Sequence, residues 1–177
     1  MEEQAPITIR RATLEDGPTI SRLLEQLAET IEDWPFSPAW VETHLGPMLE
    51  DEDHVLLVAE AQEQPIGLLT LHLRRTLLHP APVALIDELV VDRAWRSDKQ
   101  SRGSRLEAGA SSSERDRLSR GVGRRLVEEA IQVARARGAC ELEVSTEKTN
   151  RAAQAFYRRL GFSHEAVLME LELEGEE

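Results

Sequence analysis

The chain has one cysteine, Cys140, among 177 residues, which excludes an internal disulfide and a thiolate zinc cluster and points to a reducing compartment. Its histidines, His44, His54, His72, His79 and His164, are scattered without metal-ligand spacing. Aromatics make up only 4% of the residues, so aliphatic side chains must fill the core. No apolar run approaches the roughly 18 residues of a membrane helix. The opening residues Met1-Glu2-Glu3-Gln4 are acidic and lack an apolar signal core, and the reading that follows is a cytoplasmic protein. Positive charge is scarce too: 21 Lys and Arg stand against 33 acids, a formal net charge of −12. Binding to nucleic acid or to an anionic membrane draws on clustered Lys and Arg, so neither partner is expected, whereas a cationic one is favoured.

What is present suits one α/β domain over residues 1–177. With 41% hydrophobic and 31% charged residues, the chain has the composition of a globular domain long enough to bury a core. Ile7 to Arg10 alternates like a strand, and Asp16 is placed to cap a helix whose buried stripe is Ile20, Leu23, Leu24, Leu27 and Ile31. The segment Trp34-Pro35-Phe36-Ser37-Pro38 breaks that helix, and Ser37 is placed to cap a second one carrying Trp40, Val41 and Leu45. The aromatics here read as core residues, with an acceptor-site wall as the other option. His54 to Glu60 and Ile66 to Leu73 form a hairpin across Ala61 to Pro65, and Val83 to Val91 is a third long strand. A helix with the stripe Val122, Leu126, Ala130, Val133 and Ala134 ends at Gly138, and a shorter one, capped by Asn150, ends at Gly161. Two more strands are expected, a core strand from Cys140 to Val144 and a last one from Ala166 to Leu173. The fold class is therefore α/β, with a mixed, mostly antiparallel sheet flanked by about four helices.

Residues 97–118 break this rhythm. Leu106 and Leu118 are their only large apolar side chains, too few to offset an ordering cost near ~1–2 kcal/mol per residue. A low-complexity, mobile insertion is expected there, either a lid or an inert surface excursion. Just after it, Arg120-Gly121-Val122-Gly123-Arg124 opens a helix. The first N–H groups of a helix lack intrahelical partners and the macrodipole places about +0.5 charge there, so an anionic pyrophosphate fits, and glycines permit its close approach. A tight approach of helix to strand would explain the same glycines.

Side by side, these pieces resemble the GNAT-superfamily N-acetyltransferases over nearly the whole chain apart from the insertion. Ile9 to Asp16 is similar to the family's opening strand and helix. Ile86-Asp87-Glu88-Leu89-Val90-Val91 resembles the central strand that holds the pantetheine arm, Gly121-Val122-Gly123 the pyrophosphate turn, and Asn150, Ala153, Phe156, Tyr157, Gly161 and Phe162 the helix along the coenzyme A tail. There is a departure: the position three residues before the first glycine, Gln or Arg in the family, is Leu118, and Arg96 stands where that arginine normally falls. The insertion thus splits the pyrophosphate loop just after Arg96. Closing a longer flexible loop costs only about 0.6 kcal/mol per doubling, so Arg96 and Arg120 are still expected to flank the phosphates.

The resemblance implies acetyl transfer from acetyl-CoA to a primary amine, whether a small cationic amine, a peptide N-terminus or a lysine, by direct attack on the thioester. An alkylammonium of pKa ~10.4 is neutral about once in 2,500 molecules at pH 7, a handicap of roughly 4.6 kcal/mol. Glu88, then Asp87, are the candidate bases; strand alternation would send them to opposite faces, leaving one in the cleft. The other reading makes them solvated strand-end acids. Tyr157, the only tyrosine, falls at the family's acid position, with a half-buried helix aromatic beside Phe156 as the plainer alternative. Backbone N–H groups of Leu89 and Val91, with Val90 between them, would hold and polarise the thioester. Arg96, Arg120, Gly121, Val122, Gly123, Arg124, Asn150 and Phe156 complete the expected cofactor contacts, and no metal enters. Asn150 would serve equally as a helix cap alone. His72 reads as a surface strand residue rather than a cleft residue. A homodimer through the sheet edge or the C-terminal strand fits such domains, and a non-catalytic acyl-CoA sensor or interaction module is the alternative function.

Overall fold

The computed structural model describes residues 6–31, 34–96, 121–171 and 173. The chain divides into two compact units, Met1–Glu143 and Val144–Glu177. The first is built on β1 (Thr8–Arg11), β2 (His54–Ala61), β3 (Gln64–Arg74), β4 (Val83–Val91) and β5 (Glu141–Val144), which lie side by side in that order in one mixed sheet. Each of the first three neighbouring pairs is antiparallel. The β2–β3 connection is a tight hairpin whose central residues, Gln62 and Glu63, have φ of 52° and 62°. Two successive left-handed residues give the turn whose twist matches that of the flanking strands.

Among the described residues, three α-helices belong to this unit, α1 (Gly17–Ala28), α2 (Pro38–Glu50) and α3 (Val122–Ala136). On one face of the sheet, Ile20 and Leu23 of α1 and Val41 and Leu45 of α2 pack on Leu56, Val58, Leu68 and Val90. Fully burying side chains such as Leu23 and Leu68 contributes about 1.5–3 kcal/mol each. On the other face, the first turn of α3 lies close against β3. A Cβ at Gly67 would come within 3.2 Å of Leu126, Val122 and the Val90 carbonyl, so glycine is what admits the helix there. Gly138, at φ +73°, ends α3 in the left-handed conformation expected of it.

Several expectations are corrected. The Asp16 carboxylate does not cap α1; it turns back to the Arg10 guanidinium at 2.8 and 2.9 Å and to the Thr13 N–H at 2.8 Å. A two-pronged, charge-assisted pair outweighs a single capping bond, and the Arg10 contact holds this carboxyl below the usual range. Trp34 and Trp40 are exposed, 58% and 45%, and only Phe36 of that segment packs on the core. Cys140 is exposed and precedes β5 rather than starting a core strand.

The second unit contains α4 (Arg151–Arg159). The Asn150 side chain caps it by accepting the Ala153 N–H at 3.0 Å, and Gly161, at φ +100°, follows its last turn. Beyond it, residues 166–171 and 173 form no strand. Val167, Met169, Leu171 and Leu173 are all more than 80% exposed. Alternation of apolar and acidic residues favours a half-buried strand only where a neighbour pairs its backbone and covers one face.

Candidate active site

The two acidic candidates sit on β4 where its pairing with β3 slips. Thr70 is opposite Glu88, yet Leu71 is opposite Ile86, so Asp87 is an extra residue in β4. Such a bulge suspends the two-residue alternation locally. Glu88 shares the face of Val90, two residues on, which is the face covered by α1 and α2. Asp87 meets His72 Nδ1 at 2.8 Å, and His72 lies two residues beyond Thr70 on β3, whose hydroxyl hydrogen-bonds the Glu88 carboxylate. Both carboxylates therefore face the same side. The expectation that alternation would part them is overturned by the bulge.

Thr70 engages Glu88 twice. Its hydroxyl donates to the carboxylate and accepts the Glu88 backbone N–H at 3.1 Å. Burial, followed by the neighbouring Asp87 charge, pushes the Glu88 carboxyl up to about 7. A group poised there is protonated and ionised in comparable amounts near neutral pH, which suits proton transfer. His72 extends the cluster: directly across the β2–β3 ladder is His54, with ring centroids 5.7 Å apart. His54 Nδ1 in turn meets Asp51 at 2.8 Å. His72 is thus part of the acidic cluster and not an isolated surface residue.

The other half of β4 is regular. The Asp92 N–H reaches back to the Ile66 carbonyl at 2.8 Å, and the Glu88 N–H also points toward β3. By alternation the N–H groups of Leu89 and Val91 point the opposite way. The strand on that side, β5, is four residues long and begins where the Cys140 N–H bonds the Pro82 carbonyl at 2.9 Å. Four residues cover about 13 Å, too short to reach Leu89 from the level of Pro82. Hence β5 does not reach these two donors. Arg96 folds onto this edge, its Nε donating to the Val91 carbonyl at 2.7 Å.

Gly121 is the residue before α3, and Val122 and Gly123 form its first turn. The Val122 side chain is fully buried, the Arg124 side chain pairs with Glu128 at 2.7 Å along the helix, and Arg125 donates to the Ile7 carbonyl at 2.7 Å. A Cβ at Gly121 would meet only ordinary van der Waals contact, so crowding by the described residues does not account for that glycine. Arg120 and the 97–118 insertion lie outside the described residues. In the second unit, Tyr157 is 8% exposed, its ring edge-on to Phe156 at 5.1 Å and to Phe162 at 5.4 Å. Burial pushes its phenol up to about 12, so it keeps its proton at any physiological pH.

Residues 114–162 match the acetyltransferase (GNAT) family. No curated protein matches the chain in sequence. Among solved structures, the chain is similar to a transcriptional regulator from Bacillus halodurans at 26% identity and a TM-score of 0.70, covering 93% of this chain and 99% of that one. It is equally similar in sequence, 26%, to a proposed acetyltransferase from Arthrobacter sp. FB24, with a TM-score of 0.68 over 94% of this chain and 96% of the other. An aminoglycoside acetyltransferase from an uncultured soil metagenomic sample shares 20% identity at a TM-score of 0.68, covering 96% and 97%.

Proposed function

We propose that this chain, a GNAT-type acetyltransferase by its family segment and its fold, transfers acetyl from acetyl-CoA to a primary amine, with Glu88 as the general base. One observation carries the assignment of the base: a half-buried carboxyl with a pKa of about 7 lies one residue from a strand edge whose Leu89 and Val91 N–H groups β5 does not reach. The Leu89 and Val91 N–H groups are suited to receive the pantetheine arm and the thioester oxygen. The N-terminal turn of α3, at Gly121 to Arg124, is suited to the pyrophosphate, with Arg96 and Arg120 as flanking cations.

Glu88 takes the proton from the ammonium, the amine attacks the thioester carbon, and the C–S bond breaks. Tyr157 is the donor assigned to the departing thiolate. Its phenol gives a proton to sulfur, coenzyme A leaves as the thiol, and the second proton shed by the attacking nitrogen restores the phenol. Holding amine and thioester in line supplies much of the acceleration, since effective molarities reach about 10^5–10^8 M. The acceptor is assigned as cationic because Asp87 and Glu88 share one face and the chain carries a net charge of −12. Residues 1–177 act as one acetyltransferase domain in this reading, and the protein works in the cytoplasm.

Calorimetric titration with acetyl-CoA, with free coenzyme A and with an unrelated nucleotide tests the cofactor assignment. The expected result is micromolar, CoA-selective binding. Thiol release with a panel of amines then tests the transfer; aminoglycosides head the panel because a similar protein acts on them, followed by polyamines and peptides. Binding with no release for any amine would replace catalysis by acyl-CoA sensing, and no binding would overturn both.

A further inference from the structure

Acetylation of an ammonium ion removes two protons from nitrogen and returns one to sulfur, so one proton per turnover must leave the protein. Glu88 is half-buried, and a base that cannot unload does not turn over. The groups around it run in one direction. Thr70 holds its carboxylate, Asp87 on the bulge receives His72 Nδ1 at 2.8 Å, and His72 faces the ring of His54. His54 is held by Asp51 and lines a cavity of about 290 Å³ whose wall carries Arg11, Glu50, Asp51, Glu52 and Arg137. No catalytic step described above uses either histidine.

We propose that His72, oriented by Asp87, is a positioning residue that relays the proton from Glu88 past His54 to the water of this cavity. This inference rests on the acetyltransferase reading for its purpose. With Nδ1–H donated to Asp87, the Nε2 of His72 is the free acceptor. The Glu88 O–H bond breaks and an Nε2–H bond forms, across one water. The imidazolium is stabilised by the Asp87 carboxylate 2.8 Å from its Nδ1. The Nε2 proton then passes to cavity water along His54, and both Glu88 and His72 return to their starting forms. The charged groups that face this path are Asp87 from β4, His54 from β2, Glu50, Asp51 and Glu52 from the end of α2 and the turn after it, Arg11 from β1, and Arg137 from the end of α3. A bulge that placed Asp87 on the far face would leave His72 without an anchor.

The test has one arm that needs no turnover. Carbon-13 NMR of the Glu88 carboxyl, assigned with Glu88→Gln, follows its titration from the starting value of about 7. In His72→Gln the midpoint rises, because the positive charge that His72 carries while it holds the relayed proton, and that favours the carboxylate, is gone. In Asp87→Asn it falls, because a repelling anion is gone. Midpoints unchanged in both variants overturn the relay. The second arm measures thiol release in weakly buffered solution: His72→Gln lowers kcat about tenfold with KM unchanged, and added imidazole restores it. A loss that imidazole does not restore, or no loss, also overturns the relay. If the wild-type protein releases no thiol with any amine, the acetyltransferase reading fails, and the NMR arm still decides whether Glu88 and His72 are coupled.

Discussion

The two halves of β4 obey different rules. From Leu89 to Val91 the strand keeps its alternation: the Val90 side chain goes into the core, and the backbone donors of its neighbours point off β3. Before Leu89 the alternation is broken, and Asp87 and Glu88 turn to one face with Thr70 and His72. A regular strand end offers evenly spaced donors, which suits an extended ligand arm. A bulge instead gathers side chains, which suits proton chemistry. The two functions abut because the slip stops one residue short of the regular stretch.

The sharpest way to break this comparison is to disable the gathered half alone. Glu88→Gln keeps the shape and removes the proposed base; kcat/KM is expected to fall about 10²- to 10³-fold while acetyl-CoA affinity stays as it was. The pH profile supplies the sign: Glu88 must be ionised to act, so the wild-type rate climbs as pH rises through about 7. That climb should vanish in the variant, and a retained climb would move the base elsewhere. Tyr157→Phe comes next, with turnover reduced about tenfold or more and acetyl-CoA binding little changed. An unaltered rate would remove Tyr157 from the mechanism.

The regular half is broken from beneath. Gly67→Val would drive side-chain atoms into Leu126, Val122 and the Val90 carbonyl, already 3.2 Å from a bare Cβ. Destabilisation of about 1–3 kcal/mol is expected, read as a lowered Tm, together with weaker acetyl-CoA binding as α3 shifts. Glu88 loses its proton at higher pH in the folded chain than its ordinary 4.5. Its favourable contribution is therefore complete below pH ~4.5 and is lost as pH rises through about 7, up to roughly 3 kcal/mol. Denaturant unfolding of wild type and Glu88→Gln should agree near pH 4 and diverge at pH 8, with the variant the more stable; parallel curves would mean that Glu88 is freely solvated.

Much of this was legible in the chain. Val83 to Val91 matches β4 end to end, because seven of its nine residues are β-branched or aliphatic and turn signals bound it. The α1 stripe, the hairpin and the glycine stops of α3 and α4 are local patterns, and they were read as such. The site was half legible. Asp87 and Glu88 were visible as acids on the central strand, but their common orientation was not, since a bulge depends on how β3 meets β4 across a long loop. His72 went unrecognised as their neighbour for the same reason, although its place two residues after Thr70 was a usable signal once the β3–β4 register was known. Residues 166–173 mislead in the opposite sense: their alternation is as good as that of a real strand, yet no described strand pairs with them.

By itself, the sequence determined most of the helices and strands, the segment 166–173 excepted, and which residue types are at hand, because periodicity, capping and turn chemistry act over a few neighbouring residues. Tertiary structure alone decided that Glu88 would be a half-buried acid near pKa 7, that Asp87 would join it, and that two histidines from different strands would stack beside them. Burial and charge proximity are properties of groups distant in the chain, and they exist only once the sheet has chosen its register.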